Sequence, residues 1–250
     1  MNKRELINNI FYPRKSHYKS SGLFDYVNVD DAVKIGICFY LKDSSYDNII
    51  FFHGNAELAE EYRDISNIYE NFKINLIVAD FRGYGMSDGL PTKDNLLSDA
   101  PKIFDYILKD LNSKNYNEKR VVMGRSLGSA SALEIASKDY DNIDGCIIES
   151  GFATEIPLFK LFGLNPDDLN FKVSDGFNNL SKAKNFEKPL FVIHAKNDHI
   201  VPFSEGELIY SSSLSKNKDI FVVEQANHNN IINCIGLEYF QAIRSFIDTI

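Results

Sequence analysis

Short, almost uninterrupted apolar runs set the class of this chain. They cover residues 49–52, 76–79, 121–123, 146–148, 190–193 and 220–223. A strand with one wet face alternates apolar and polar residues. A run without polar interruption fits a strand of a parallel sheet that is covered on both faces. Stretches of helical character lie between most of these runs, at 57–71, 96–114, 127–140 and 204–213, and another at 231–250 follows the last of them. Strand and helix alternate, which is the α/β pattern with a doubly wound sheet. Two further strands are predicted upstream, at 23–29 and 33–41, as a hairpin turning at Asp30-Asp31. In the second, Val33, Ile35, Ile37, Phe39 and Leu41 share one face. Residues 1–22 are polar and carry no clear period.

One interval breaks the rhythm. Between Glu149 and Pro189 the chain is longer than one crossover needs, and it holds Pro157, Gly163, Pro166 and Gly176 beside Leu158, Phe159, Leu161, Phe162 and Leu164. This reads as a cap insertion over about 152–186 within a single domain spanning 1–250. Its apolar residues fit either helix core or the walls of a substrate pocket. Leu158, Phe159 and Phe162 are the pocket candidates.

Charge narrows the partners. Lysine plus arginine is 27 against 35 aspartate plus glutamate, a formal net charge of −8, which disfavours broad attraction to nucleic acid or anionic lipid. No apolar stretch approaches the ~20 residues of a membrane helix, and residues 1–5 are charged without a long apolar run behind them. Cys38, Cys146 and Cys234 are odd in number, sit in apolar segments and read as buried reduced thiols. These features predict a cytoplasmic protein without stable membrane insertion.

Gly124-Arg125-Ser126-Leu127-Gly128 carries the chemistry. This G-x-S-x-G follows the strand run 120–123 and precedes the small-residue helix 129–136, the strand–turn–helix context that the motif requires. A sharp turn lifts the serine hydroxyl clear of the sheet, and the residues two before and two after it come too close for side chains. Competing glycine motifs fail. In Gly83-Tyr84-Gly85-Met86-Ser87-Asp88-Gly89 the third glycine falls one position late for a dinucleotide fingerprint.

A serine hydroxyl needs a general base. With this elbow the order along the chain is Ser, Asp or Glu, His. His194, His199 and His228 follow Ser126, and only His228 lies beyond the final strand run. Asp198, in the loop after the 190–193 run, is the leading acid; Glu149 is the fallback. A metal site built from His194, Asp198 and His199 lacks supporting ligands, so neither metal nor cofactor is expected. For the oxyanion, the predicted donors are the Leu127 amide and Asn55, in the loop after the 49–52 run. His53 is expected to orient that loop without doing chemistry.

Taken together, the segments 51–57, 80–89, 124–129 and 149–152 with the Asp198 and His228 loops resemble the α/β-hydrolase superfamily over nearly the whole chain. Within it the sequence is similar to small serine hydrolases with an H-G-N oxyanion loop, here His53-Gly54-Asn55. The resemblance implies a mostly parallel eight-stranded sheet with helices on both faces, and an esterase, thioesterase or serine-aminopeptidase-like activity. The expected substrate is a small-molecule ester or thioester, cleaved through Ser126, Asp198 and His228. A serine peptidase of the same fold and a non-catalytic binding protein of the same fold are the rival readings.

Overall fold

The computed structural model describes residues 3–16, 24–138, 141–161, 163, 165, 170–172 and 175–250. The eight strands are β1 Phe24–Asp30, β2 Val33–Tyr40, β3 Asp47–Phe52, β4 Ile74–Ala79, β5 Arg120–Arg125, β6 Gly145–Glu149, β7 Leu190–Ala195 and β8 Lys218–Val223. They form one sheet in the order β1-β2-β4-β3-β5-β6-β7-β8. The β1–β2 hairpin is antiparallel, β2 runs antiparallel to β4, and all remaining pairings are parallel.

Uninterrupted apolar runs serve two cores at once. In β3, Ile50 and Phe52 point into one core while Ile49 and Phe51 point into the other. The same alternation separates Val192 from Phe191 and Ile193 in β7. The first core is closed by α3 (Lys93–Ser113), α4 (Gly128–Ala136), α6 (Asn179–Lys184) and α7 (Phe203–Ser212), through Phe104, Leu133, Ala183 and Ile209. The second is closed by α2 (Arg63–Asn71), α8 (Ile231–Ile235) and α9 (Leu237–Asp248), through Tyr69, Ile231 and Phe240. Burying a Phe or Ile side chain of this kind stabilises by about 1.5–3 kcal/mol. No helix among the described residues is long and apolar enough to cross a membrane.

Several expectations change. The N-terminal stretch is not featureless: it starts with α1 (Lys3–Asn8), and Ile7, Ile10 and Phe11 are buried in the first core. The stretch 57–71 opens with a 3₁₀ turn, Ala59–Tyr62, before α2. The single helix predicted over 231–250 is two, because Gly236 takes φ +56°, ψ −125° between α8 and α9, a conformation open to glycine and strained for other residues. Cys38 and Cys146 are buried as expected, whereas Cys234 is exposed. In the interval 152–186 the described residues include α5 (Ile156–Leu161) and α6. Phe162 and Leu164 lie outside the described residues, as does His17.

Candidate active site

β3, β5, β6, β7 and β8 run parallel, so their carboxyl ends share one edge of the sheet, where ligands gather in open α/β folds. Ser126 directly follows β5, Asp198 lies three residues past β7, His228 five past β8, and Asn55 three past β3.

The elbow is held by close packing. Ser126 has φ +49°, in the left-handed region. Its amide donates to the Glu149 carbonyl at 2.9 Å, and the Ser129 hydroxyl donates to the Ser126 carbonyl at 2.6 Å. A Cβ on Gly124 would stand 2.4 Å from the Gly128 carbonyl oxygen, and one on Gly128 would stand 2.0 Å from the Phe52 carbonyl oxygen. Both glycines are therefore required for α4 to seat against β3 and β5.

Three side chains form a hydrogen-bonded chain. His228 Nε2 lies 3.0 Å from Ser126 Oγ, and His228 Nδ1 lies 2.7 Å from Asp198 Oδ2. A carboxylate only accepts, so Nδ1 carries the proton, and in the tautomer this fixes Nε2 presents its lone pair to the serine hydroxyl. Burial alone would raise the Asp198 pKa. The His228 hydrogen bond and charge, with the Val201 and Ile200 amides on Oδ1 at 2.8 and 2.9 Å, outweigh it and hold the carboxyl below its ordinary range. The His228 loop is an asparagine-rich turn: the Asn230 side chain accepts from the Asn227 amide at 2.6 Å, and the Asn227 side chain from the Asn229 amide at 3.0 Å.

Neither the Leu127 nor the Asn55 amide donates to a partner among the described residues. The Asn55 side chain is engaged elsewhere. Its Oδ1 accepts from the Tyr12 amide at 2.9 Å and the Tyr84 hydroxyl at 2.6 Å, and its Nδ2 donates to the Ile10 carbonyl at 2.5 Å. Asn55 thus offers its backbone, not its carboxamide, to the site, and the segment after α1 is what fixes it. That segment is tied down in turn: Ser16 donates to the Gly85 carbonyl, Gly85 to the Arg14 carbonyl, and Lys15 Nζ to the Ser87 carbonyl at 2.6 Å.

His53 is buried beneath this loop. Its Nδ1 lies 2.7 Å from the Gly54 carbonyl and its Nε2 lies 3.1 Å from Asp80 Oδ1. Both partners are acceptors, so both ring nitrogens donate and the ring is an imidazolium. Burial would lower its pKa; the hydrogen bond and charge of Asp80 overcome this and raise it. Folded-state stability from a raised histidine is present in full below the unfolded value of about 6.5 and is lost as pH rises through the folded value. At pH 6, ¹⁵N spectra are expected to show both His53 nitrogens protonated; a lone-pair-bearing nitrogen there would contradict the assignment.

A cavity of about 510 Å³ opens over Ser126 and His228. Ile10, Tyr12, Phe152, Leu158, Leu161 and Ile200 form its apolar wall, and Asn55, Glu57, Arg125 and Asn229 its polar one. Of the predicted pocket residues, Leu158 lines this cavity. Phe159 is not: it is fully buried, edge-on to Phe171 with ring centroids 4.8 Å apart, because on α5 its neighbours Leu158 and Leu161 take the cavity face.

Glu149 does not reach the imidazole chain. Its Oε2 accepts from Tyr239 Oη at 2.5 Å, and its Oε1 lies 3.3 Å from Arg125 Nε. His194 is buried, held neutral by desolvation, and donates Nε2–H to the Val201 carbonyl at 2.9 Å. His199 is exposed, and no group of three or more His, Cys, Asp or Glu side chains among the described residues is arranged to hold a metal ion.

Fold and sequence together define the class: the chain belongs to the α/β-hydrolase superfamily. A family model described as "Serine aminopeptidase, S33" matches residues 44–162. An uncharacterized membrane protein of Saccharomyces cerevisiae, YNL320W, is 33% identical over 227 residues, covering 87% of this chain and 76% of that protein. Among solved structures, the Pyrococcus furiosus esterase Pf2001 superposes with a TM-score of 0.73 at 22% identity, over 95% of this chain and 98% of the esterase. A soluble variant of the Saccharomyces cerevisiae monoglyceride lipase gives a TM-score of 0.71 at 18% identity, over 95% and 97%.

Proposed function

We propose that this protein is a serine hydrolase that cleaves a carboxylic ester or thioester through an acyl-enzyme on Ser126. The observation that carries the reading is the Ser126–His228–Asp198 hydrogen-bonded chain opening into a largely apolar cavity. Ser126 Oγ attacks the acyl carbonyl carbon as His228 Nε2 takes its proton. Asp198, ionised across the working pH range, holds the tautomer and stabilises the imidazolium. The tetrahedral oxyanion forms beside the Leu127 and Asn55 amides, each donor worth about 10²–10³ in rate. His228 then protonates the leaving alcohol or thiol. Water enters, gives a proton to His228 and attacks the acyl-enzyme; the imidazolium then returns that proton to the departing Ser126 Oγ, releasing the carboxylic acid and free Ser126.

On this reading the acyl chain lies along Ile10, Tyr12, Leu158 and Leu161, and the leaving group lies toward Asn229 on the polar wall. The test is labelling with a fluorophosphonate probe, followed by turnover of acyl esters, acyl thioesters and peptide amides of graded chain length. Labelling with ester or thioester turnover supports the reading. Absence of labelling removes it, and turnover of amides alone makes the protein a peptidase.

The same geometry predicts where acyl preference is set. Tyr12 and Leu161 are 51% and 52% exposed, so Tyr12→Ala and Leu161→Ala leave the core intact. Each is expected to shift the preferred chain length, changing kcat/KM by up to about fourfold per methylene, from ~0.8 kcal/mol of transfer energy per CH₂. Phe159→Ala is expected instead to lower stability by about 3–5 kcal/mol, as core aromatic truncations do. A chain-length series with both surface variants, read against their melting temperatures, checks this. An unchanged profile would move the acyl chain off this wall.

A further inference from the structure

The charged residue inside the elbow has a use that the hydrolytic steps above leave unassigned. Arg125 ends β5 with its side chain only 13% exposed. Its Nη1 is ion-paired with Glu57 Oε1, and its Nε faces Glu149 Oε1 at 3.3 Å. Its Nη2 donates to the His228 carbonyl at 2.7 Å and to Asn229 Oδ1 at 3.2 Å. Glu57 is itself bifunctional: its Oε2 accepts from the Gly54 amide at 2.8 Å and from Tyr62 Oη at 2.5 Å. A Cβ on Gly54 would stand 2.6 Å from Arg125 Nη1 and 2.7 Å from Glu57 Oε1, so a side chain there would push this ion pair out of its present position.

A guanidinium lining a substrate cavity invites a second interpretation, as an anchor for an anionic substrate group. The donor count opposes it. Both terminal nitrogens are already engaged with protein oxygens, and two carboxylates neutralise the charge. A planar fork with several donors suits bridging fixed acceptors, which a lysine ammonium does not reproduce. A buried charge of this kind is costly unless paired and hydrogen-bonded, so its presence calls for a purpose.

We propose that Arg125 is a positioning residue that clamps the His228 backbone to the oxyanion loop through Glu57. One guanidinium thereby fixes the distance between the general base and the Asn55 amide. Arg125, Glu57 and Asn229 also form the partition between the 510 Å³ cavity and a second one of about 240 Å³ lined by Tyr62, Tyr69 and Tyr239. Among the described residues, the Arg125 guanidinium bridges the His228 loop and the oxyanion loop directly, through the His228 carbonyl and Glu57.

This inference rests on the serine-hydrolase reading, and the experiment separates the two. Arg125→Lys, Arg125→Met and Glu57→Gln are compared with wild type in ester turnover, fluorophosphonate labelling rate, and the downfield proton resonance of His228 Nδ1–H. The expected result is a fall in kcat of about 10–100-fold for the Arg125 variants and about tenfold for Glu57→Gln, with KM within about twofold. A misplaced base costs rate without costing binding. The downfield resonance should broaden or shift in the Arg125 variants. Should Arg125→Met fail to fold, Arg125→Lys and the half-buried Glu57→Gln decide. Unchanged kcat and resonance in those two would overturn the clamp, and a loss confined to KM would make Arg125 a substrate contact instead. Absence of labelling in wild type would sink the hydrolase reading; a labelled wild type with unaffected variants would sink the clamp alone.

Discussion

Ser126→Ala is expected to abolish fluorophosphonate labelling and to lower kcat by about 10⁴–10⁶, while the protein keeps its fold. The magnitude follows from the role: without Oγ there is no covalent route, and the rate left over comes from binding and the oxyanion donors. The fold should survive for a local reason. The left-handed backbone at residue 126 is imposed by the amide bond to the Glu149 carbonyl and by the close seating of α4 at Gly124 and Gly128, none of which uses Oγ. The change removes one hydrogen bond, to His228 Nε2, at a position open to the cavity. The melting temperature should therefore stay within a few degrees of wild type. Intact circular dichroism with persistent labelling would place the nucleophile elsewhere.

The parts of this site that the sequence exposes are those with a local cause. The elbow is legible because strand, turn and helix lie within 17 consecutive residues, 120–136, and each glycine is there for a contact made inside that stretch or with the adjacent strand. Asp198 and His228 are legible for a topological reason: parallel strands bring their following loops to one edge, so position after β7 and β8 is already position in the site. Ile10, Tyr12 and Tyr84 escape such reasoning. Their contacts with Asn55 join segments 29 to 45 residues apart, and an apolar pair inside a polar stretch gives no period to follow. Phe159 fails differently. Helix spacing shows that α5 has an apolar face but not how that face divides between core and cavity, which only packing against Phe171 and the sheet decides.

Two missed features did leave a signal. Gly236 interrupts a helical pattern, and a glycine there is a break as readily as a tolerated residue. Arg125 is a full charge placed directly after the apolar run 121–123 and Gly124, which demands a partner, and Glu57 stands three residues after His53-Gly54 in the loop that the sequence already marks as functional.

Asp198→Asn is expected to lower kcat/KM by about 10⁴-fold, or roughly 5.5 kcal/mol of transition-state stabilisation, against less than tenfold for Glu149→Gln. The contrast tests which carboxylate serves the imidazole. Asp198 Oδ2 is 2.7 Å from His228 Nδ1, and its Oδ1 is held by the Ile200 and Val201 amides, so the carboxylate is fixed in place and accepts only. Asparagine would keep the shape. To keep Oδ1 on those two amides it must turn its NH₂ toward His228, and that group donates. The imidazole would then take the other tautomer, with its proton on Nε2, where it faces Ser126 as a donor and cannot act as base. Glu149 sits differently, bonded to Tyr239 and facing Arg125, with burial pushing its carboxyl up against the pull of that arginine. Glutamine there keeps the Tyr239 bond and lies outside the proton path. Steady-state kinetics of the two variants on one ester, with fold checked by melting temperature, gives the comparison. A larger loss for Glu149→Gln than for Asp198→Asn would transfer the acid to β6.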